Sequence, residues 1–556
     1  MRLNYYYNFK NNIRFFINIE KMLFDEHDLS YDNISWANPF KFRIKKDVDS
    51  FRTLKIPNIY NFKAAYDIYK NELAMIGLDF EQLENLDPHK RMMISYELGE
   101  FKTNSYSENQ LIDYNYLVKY DRLIRVDIKS FYQNIYTHYI FDSSTNRNID
   151  KPLSKMNNGR TGGIIMGNYI SLYFAEFFST KISHDLKEAF EQQDIQCEFS
   201  YFSDDFYLFC DSKDVNMVIE IFDKVLEKYD LEKNNEKLEI LDYICYTEKD
   251  LIEKYWKFIT RECKNQQYSQ EEKNKERISK GEKPLKNNNL FFTNQLIYRL
   301  KKIDDYKEQR VFIVNFFKSK FFDTIDFSNT FFQDYNFHQI CYLIKNFPEI
   351  VMYIDHILQT FDIFKSDHFK ELALLYFKNS LKGPYHDEQL YFFYLVYTLN
   401  MLDSLKSEDI YKLVLNSENQ ILMSYFIKYK LFSSVEIDVI KGWEQEEYWF
   451  VFYNLILNDN TLFSDLDASI NKYLIPSKSR EGRNPTNDNY LSFYKSNLEN
   501  RVDILNSIEE LIIVIKQYLR LKWESDDEIV EDNNDSIVCG QPLDPPIAEE
   551  PIYDDF

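Results

Sequence analysis

An α+β N-terminal half followed by an all-α C-terminal half is the fold class this chain predicts, and three observations predict it. Up to about residue 250, short β-like runs alternate with helical periodicity. From Leu290 to about Lys522, apolar residues recur at three and four spacing almost without interruption. Between the two regimes lies a polar Lys/Asn/Gln/Glu-rich stretch that cannot bury apolar surface. The expected organisation is therefore a mixed domain over 1–262, a linker or loop over 263–289, a helical domain over 290–523 and a tail over 524–556.

The elements follow in order. LIRVDI (123–128), EFSYFS (198–203) and FYLFC (206–210) read as strands, with helices around 168–192 and 214–229. In the second half NQLIYRLKKI, QRVFIVNFFKSKFF, FHQICYLIKNF, HFKELALLYFKNSL, EQLYFFYLVYTLNML, YWFVFYNLILN and ILNSIEELIIVIKQYLRLKW each read as an amphipathic helix. Closely spaced helices of this kind predict a helical-repeat, HEAT-like solenoid, although no strict sequence period is present. PSKSREGRNPTNDN (476–489) reads as a surface loop.

Composition bounds the function. With 556 residues, 44% hydrophobic and 17% aromatic, the chain has enough apolar surface for more than one core. No stretch approaches the roughly 18 apolar residues of a membrane span, so a soluble, cytoplasmic protein without a membrane partner is expected. The six cysteines form no CxxC pair, which points to free thiols rather than a zinc site. The net charge of −23 is partly local: the tail from Glu524 holds twelve acidic residues and no Lys or Arg, leaving −11 for the rest. An acidic body argues against an extended duplex-binding groove.

Two segments carry chemistry. RVDIKSFYQNIYTH (125–138) runs from an apolar β-like stretch into Asp127, with Tyr132 five residues later. SYFSDDFYLFC (200–210) places Asp204 and Asp205 where two apolar runs meet, as at the tip of a hairpin. Adjacent carboxylates repel unless a cation or solvent offsets them. Mg²⁺ takes one or two carboxylates plus phosphate oxygens, and a pair of such ions clamps the oxygens of an in-line phosphoryl displacement. Singly, each segment reads more readily as a solvated turn or a strand end.

Together they form an ordered pattern. Asp127 with Tyr132 resembles reverse-transcriptase motif A; Gly163-Ile-Ile-Met-Gly167-Asn-Tyr-Ile-Ser171 resembles motif B; Phe202-Ser-Asp-Asp205 resembles motif C; and Leu231-Glu-Lys-Asn234-Asn-Glu-Lys237 resembles motif D. FRTLKIPNIYNFKAAYDIY (51–69) and SFYQNIYTH (130–138) look like the fingers and the extended motif A of the abortive-infection reverse transcriptases of bacterial phage defence. The resemblance implies a fingers and palm domain over 1–262, with a helical half in place of a thumb.

It also implies site roles. Asp127, Asp204 and Asp205 would hold two Mg²⁺ (or Mn²⁺) ions, helped by the backbone carbonyl of Ile128. Tyr132 would be the steric gate beneath the sugar. Met166 and Gly167 would line the nucleotide. Arg52 and Lys55 would hold the triphosphate, and Lys237 would assist pyrophosphate departure. The family usually has Pro and Gln where Ile165 and Met166 stand, and Met166 cannot make the glutamine's hydrogen bond.

The resemblance implies protein-primed, template-independent DNA synthesis from dNTPs, with single-stranded product DNA covalently attached to the protein. Tyr7 is the expected priming residue, with Tyr5, Tyr6 and Tyr553 as other candidates. The resemblance further implies a homo-oligomer. Two alternatives stay open: a template-dependent reverse transcriptase copying a dedicated non-coding RNA, and a non-catalytic, phage-sensing helical-repeat protein.

Overall fold

The computed structural model describes residues 3–24, 34–81, 87–91, 94–95, 100–101, 103–140, 149–247, 272–283, 296–298, 300–301, 303, 305–319, 322, 334–444, 446–476 and 486–534. Among the described residues, eight strands are arranged as two hairpins and one four-stranded sheet. β1 (Phe40–Lys45) pairs antiparallel with β2 (Phe51–Ile56), and β3 (Ile94–Ser95) with β4 (Glu100–Phe101). The sheet has the order β6-β7-β5-β8, from β5 (Arg122–Asp127), β6 (Glu198–Phe202), β7 (Asp205–Cys210) and β8 (Glu239–Leu241).

Alternation along the central strands decides which faces are covered. Ile124, Val126, Phe206 and Leu208 join the large hydrophobic core, whereas Leu123, Phe209 and Leu241 pack with Leu117 and Tyr120 in a smaller cluster. The large core is completed by the helices Tyr169–Gln192 and Val215–Glu227, which also pack on each other. The longer helix starts at Asn168, whose side chain accepts from the Ser171 amide at 2.9 Å and so satisfies one free N–H of the first turn. Its first half is buried on nearly every face, as its unbroken apolar run requires.

The helical half does not stand apart. Helix His386–Thr398 lies along β1, where Arg43 and Lys45 amides donate to His386 Nδ1 (3.3 Å) and Asp387 Oδ1 (3.2 Å). An edge strand that would otherwise expose its ladder is thereby covered. Phe40 meets Trp449 and Phe450 at 5.7 and 5.3 Å between ring centroids, and one hydrophobic core runs through both halves. The N-terminal segment is tied to the far end of the chain: Ile17 bridges Leu505, Asn506 Nδ2 donates to the Phe15 carbonyl at 2.8 Å, and Phe15 packs on Tyr518.

Two expected boundaries need correction. Residues 272–279, expected within a linker, are helical. The tail expected from 524 begins inside a helix, Ile508–Asn534, because Trp523 Nε1 donates to the Lys318 carbonyl and anchors that turn; residues 535–556, with Tyr553, lie outside the described residues. Most of the 476–489 loop also lies outside them. No described helix is long and apolar enough to cross a membrane.

Candidate active site

Strand register brings the three aspartates together. Asp127, the last residue of β5, is directly opposite Asp205, the first residue of β7. Phe202 pairs with Asp205, so Ser203 and Asp204 make a two-residue turn. Ser203 takes φ +53°, the left-handed region that a tight turn demands and that a non-glycine residue adopts at some cost. Ser179 on the long helix holds that turn by donating to the Ser203 carbonyl at 2.9 Å. The Ile128 amide donates to the Asp204 carbonyl at 2.9 Å, locking the end of motif A against the hairpin tip.

The electrostatics follow from crowding three carboxylates at one place. Burial, then the neighbouring Asp205 and Asp127 charges, push the Asp204 carboxyl up to about 6. Asp205 is raised as well, first by burial and then by Asp127, with Lys237, Arg125 and Lys307 pulling the other way. Asp127 is 6% exposed and has two partners: the Lys237 ammonium, Nζ at 2.5 Å from Oδ2, and the Asn234 amide, Nδ2 donating at 3.2 Å to Oδ1. The motif D loop reaches it because the Asn234 amide donates to the Asp127 carbonyl at 2.7 Å.

Among the described residues, no group of three or more His, Cys, Asp or Glu is drawn into a ready-made metal cage. The donor set nevertheless suits a hard divalent cation. It consists of oxygen ligands, burial and the neighbouring carboxylates keep Asp204 high, and a lysine ammonium rests on Asp127 where positive charge is needed.

Motif B closes the other side. Gly163 has φ +83°, and a Cβ there would stand 2.8 Å from the Gln133 carbonyl, so only glycine lets motif B run this close to motif A. The Gly163 and Ile164 amides donate to the Ile135 and Tyr132 carbonyls at 2.9 and 2.8 Å. Tyr132 is half-buried, and its hydroxyl accepts from Ser203 Oγ at 3.3 Å, beside the hairpin tip. Met166 is half-buried against the core. Gly167, with φ +104°, accepts from the Phe9 amide at 2.9 Å.

The remaining expected residues separate. Arg52 and Lys55 stand on opposite faces of β2 because their spacing is odd. Arg52 is exposed, and its charge reaches the Tyr132 hydroxyl. Lys55 instead donates to Asn157 Oδ1 at 3.0 Å, and Asn157 Nδ2 donates to the Gly163 carbonyl, so Lys55 braces the motif B loop.

Tyr7 must be corrected. It is 1% exposed, its hydroxyl donates to the Pro57 carbonyl at 2.7 Å, and burial drives its ionisation far upward. An apolar pocket with Phe62 at its wall binds a tyrosine on this short helix more favourably than solvent does. Tyr6 is buried too, stacked between Tyr66 and Tyr169.

Asn234, Ser179 and Glu176 escaped the sequence reading. Glu176 lies 1% exposed on the long helix behind the turn, 3.9 Å from Lys90, with burial pushing its carboxyl up to about 7. Its place about two turns into an apolar run was the available signal.

Comparison with known proteins adds the following. No curated protein matches the chain. Solved structures similar to it include apo telomerase from Candida tropicalis truncated from its C-terminal domain (19% identity, 37% of this chain, 50% of that one, TM-score 0.26). Telomerase from Candida albicans in complex with a fragment of telomeric RNA is another (13% identity, 76% and 66% covered, TM-score 0.28). The chain thus spans half of the first, and such scores carry no argument about function. Residues 44–274, from the end of β1 to beyond motif D, match the family described as reverse transcriptase (RNA-dependent DNA polymerase). Residues 44–274 therefore carry a reverse-transcriptase domain, the nucleotidyltransferase domain of RNA-directed DNA polymerases.

Proposed function

We propose that the chain is a phage-defence DNA polymerase of the abortive-infection type, adding deoxynucleotides to a protein primer without copying a template. One observation carries the reading. The three carboxylates stand together at the tip of β5 and β7, while the motif B side chain that would meet a templating base is the apolar Met166, packed against the core. The acidic body and the helical half lying on β1 support it. We read that half as a HEAT-like solenoid because His386–Thr398, Gln420–Lys428, Trp449–Asn458 and Leu466–Tyr473 pack each on the next across shorter intervening helices.

Bound divalent ions would supply Lewis-acid stabilisation of the attacking and leaving oxygens. Asp127, Asp204 and Asp205 would hold them, with the Ile128 carbonyl at the edge of the site. Tyr132, fixed by Ser203, would set a floor beneath the sugar that leaves no room for a 2′-hydroxyl. Lys237 would leave Asp127 as the ions bind, and its ammonium would then serve the departing pyrophosphate. Burial of Tyr7 supports a primer among the other tyrosines.

The test is synthesis by nuclease-treated protein given labelled dNTPs and Mg²⁺ or Mn²⁺. The reading expects product that stays with protein on phenol extraction until protease is added, of a sequence unaltered by added RNA. Product that partitions freely into the aqueous phase, or that copies the added RNA, contradicts it in favour of template-dependent copying.

A further inference from the structure

Two lysines from outside residues 44–274 stand beside motif B and the fingers hairpin. Lys10 lies on the N-terminal segment, which crosses motif B. The Phe9 amide donates to the Gly167 carbonyl at 2.9 Å, buried Asn8 packs on Gly167, and Asn8 Oδ1 accepts from the Lys10 amide at 2.8 Å. Beyond Lys10 the segment is pinned to the C-terminal half, the Asn18 amide donating to the Ile504 carbonyl at 2.9 Å. Lys10 is half-buried.

Lys307 approaches from the other side. It is the second residue of helix Tyr306–Lys318, whose start is clamped to the fingers hairpin: Lys45 Nζ sits 5.1 Å over the Tyr306 ring, and Arg310 Nη1 donates to the Lys45 carbonyl at 2.9 Å. Arg52 lies one register position from Lys45 across that hairpin. The charges therefore influence one another. Lys307 acts on both Asp205 and Lys10, and Arg52 acts on both Lys10 and Tyr132.

Nearby Arg310 is neutralised by Glu349 at 2.9 Å and Asp387 at 3.5 Å. Lys10, Arg52 and Lys307 have no ion-pair partner among the described residues. Three unpaired cations gathered in a chain of net charge −23 ask for a multiply charged anion. Burial, then Arg52 and Arg310, lower the Lys10 ammonium to about 8, which is the strain expected of a cation cluster awaiting its counter-ion.

We propose that Lys10 and Lys307 join Arg52 in binding the polyphosphate of the incoming nucleotide, so that the N-terminal segment and the helical half are parts of the substrate site. The assignment rests on the nucleotidyl-transfer reading above. It gives the helical half a direct part in the reaction: the dNTP α–β bond breaks beside the carboxylates, and the cations take the charge of the leaving pyrophosphate.

The full chain and its K10M, K307M, K10R and K307R variants are compared by equilibrium binding of dTTP and of inorganic pyrophosphate, and by KM and kcat for incorporation. Each methionine variant should weaken both ligands and raise KM roughly 10-fold, at unchanged thermal midpoint, with arginine restoring most of the loss. Folded methionine variants with normal dTTP and pyrophosphate binding overturn the proposal, as does a loss confined to kcat or to binding of a single-stranded oligonucleotide. The two readings fail separately. Wild-type protein that binds pyrophosphate through these lysines but makes no DNA sinks the catalytic reading alone; DNA synthesis with unaltered binding in both methionine variants sinks this one alone.

Discussion

Replacing Asp204 by Asn removes one of three like charges while keeping the side chain's size, and it should stabilise the metal-free protein as it destroys activity. Ionising a carboxyl held at about 6 instead of 3.8 costs about 3 kcal/mol at neutral pH as a ceiling. Asp204 is only half-buried, and solvent screening reduces this to about 1–2 kcal/mol. The sign is fixed by linkage. A carboxyl raised in the folded state contributes stability below its unfolded value and loses it as pH rises through about 6. The gain in Asp204→Asn should therefore appear at pH 7.5 and vanish near pH 4.

Denaturant unfolding in EDTA and in Mg²⁺ measures this. Wild type should gain about 1.4 kcal/mol from Mg²⁺ at ten times its dissociation constant, and the variant much less. An asparagine variant that is less stable than wild type in EDTA at pH 7.5, or that Mg²⁺ stabilises equally, would refute the reasoning.

Three further outcomes are expected. Incorporation should rise with pH through a midpoint near or below 6, since protonated Asp204 cannot ligate a metal and bound metal pulls its pKa down; a flat profile between pH 5 and 8 contradicts this. Tyr132→Ala should lower discrimination against ribonucleotides roughly 10- to 100-fold in competition assays, and unchanged selectivity would remove Tyr132 from beneath the sugar. Lys237→Met should cut incorporation roughly 100-fold while lowering the Mg²⁺ concentration needed for half-saturation, because Asp127 loses its competing ammonium; a raised requirement would show that Lys237 assists metal binding instead.

Much of the site was legible in the sequence because its geometry is set by short-range rules. Asp127 ends an apolar strand and Asp204–Asp205 interrupt two others, and antiparallel register then places Asp127 across from Asp205. The helices expected around 168–192 and 214–229 are Tyr169–Gln192 and Val215–Glu227. Helices Gln420–Lys428 and Thr486–Glu499 were passed over, the first being apolar all round and the second too polar for a clear stripe.

What periodicity cannot reveal is which distant segments share a core. Pinning of residues 15–18 to 504–506 and of β1 to His386–Thr398 brings Lys10 and Lys307 toward the palm, and no local pattern signals either. The odd spacing of Arg52 and Lys55 on one strand did announce opposite faces, although both were expected at the triphosphate. The burial of Tyr7 was hidden for a related reason: its pocket is built by Phe62 and the Pro57 carbonyl, some 50 residues away in sequence.

The central claim is that Asp127, Asp204 and Asp205 form one metal-dependent nucleotidyl-transfer site. Incorporation of a labelled deoxynucleotide in Mg²⁺ by wild type and by each single Asp→Asn variant, all shown to be folded, tests it most directly. The account predicts incorporation by wild type that EDTA abolishes, and none by any of the three variants. Wild-type-level incorporation by any folded variant would contradict it.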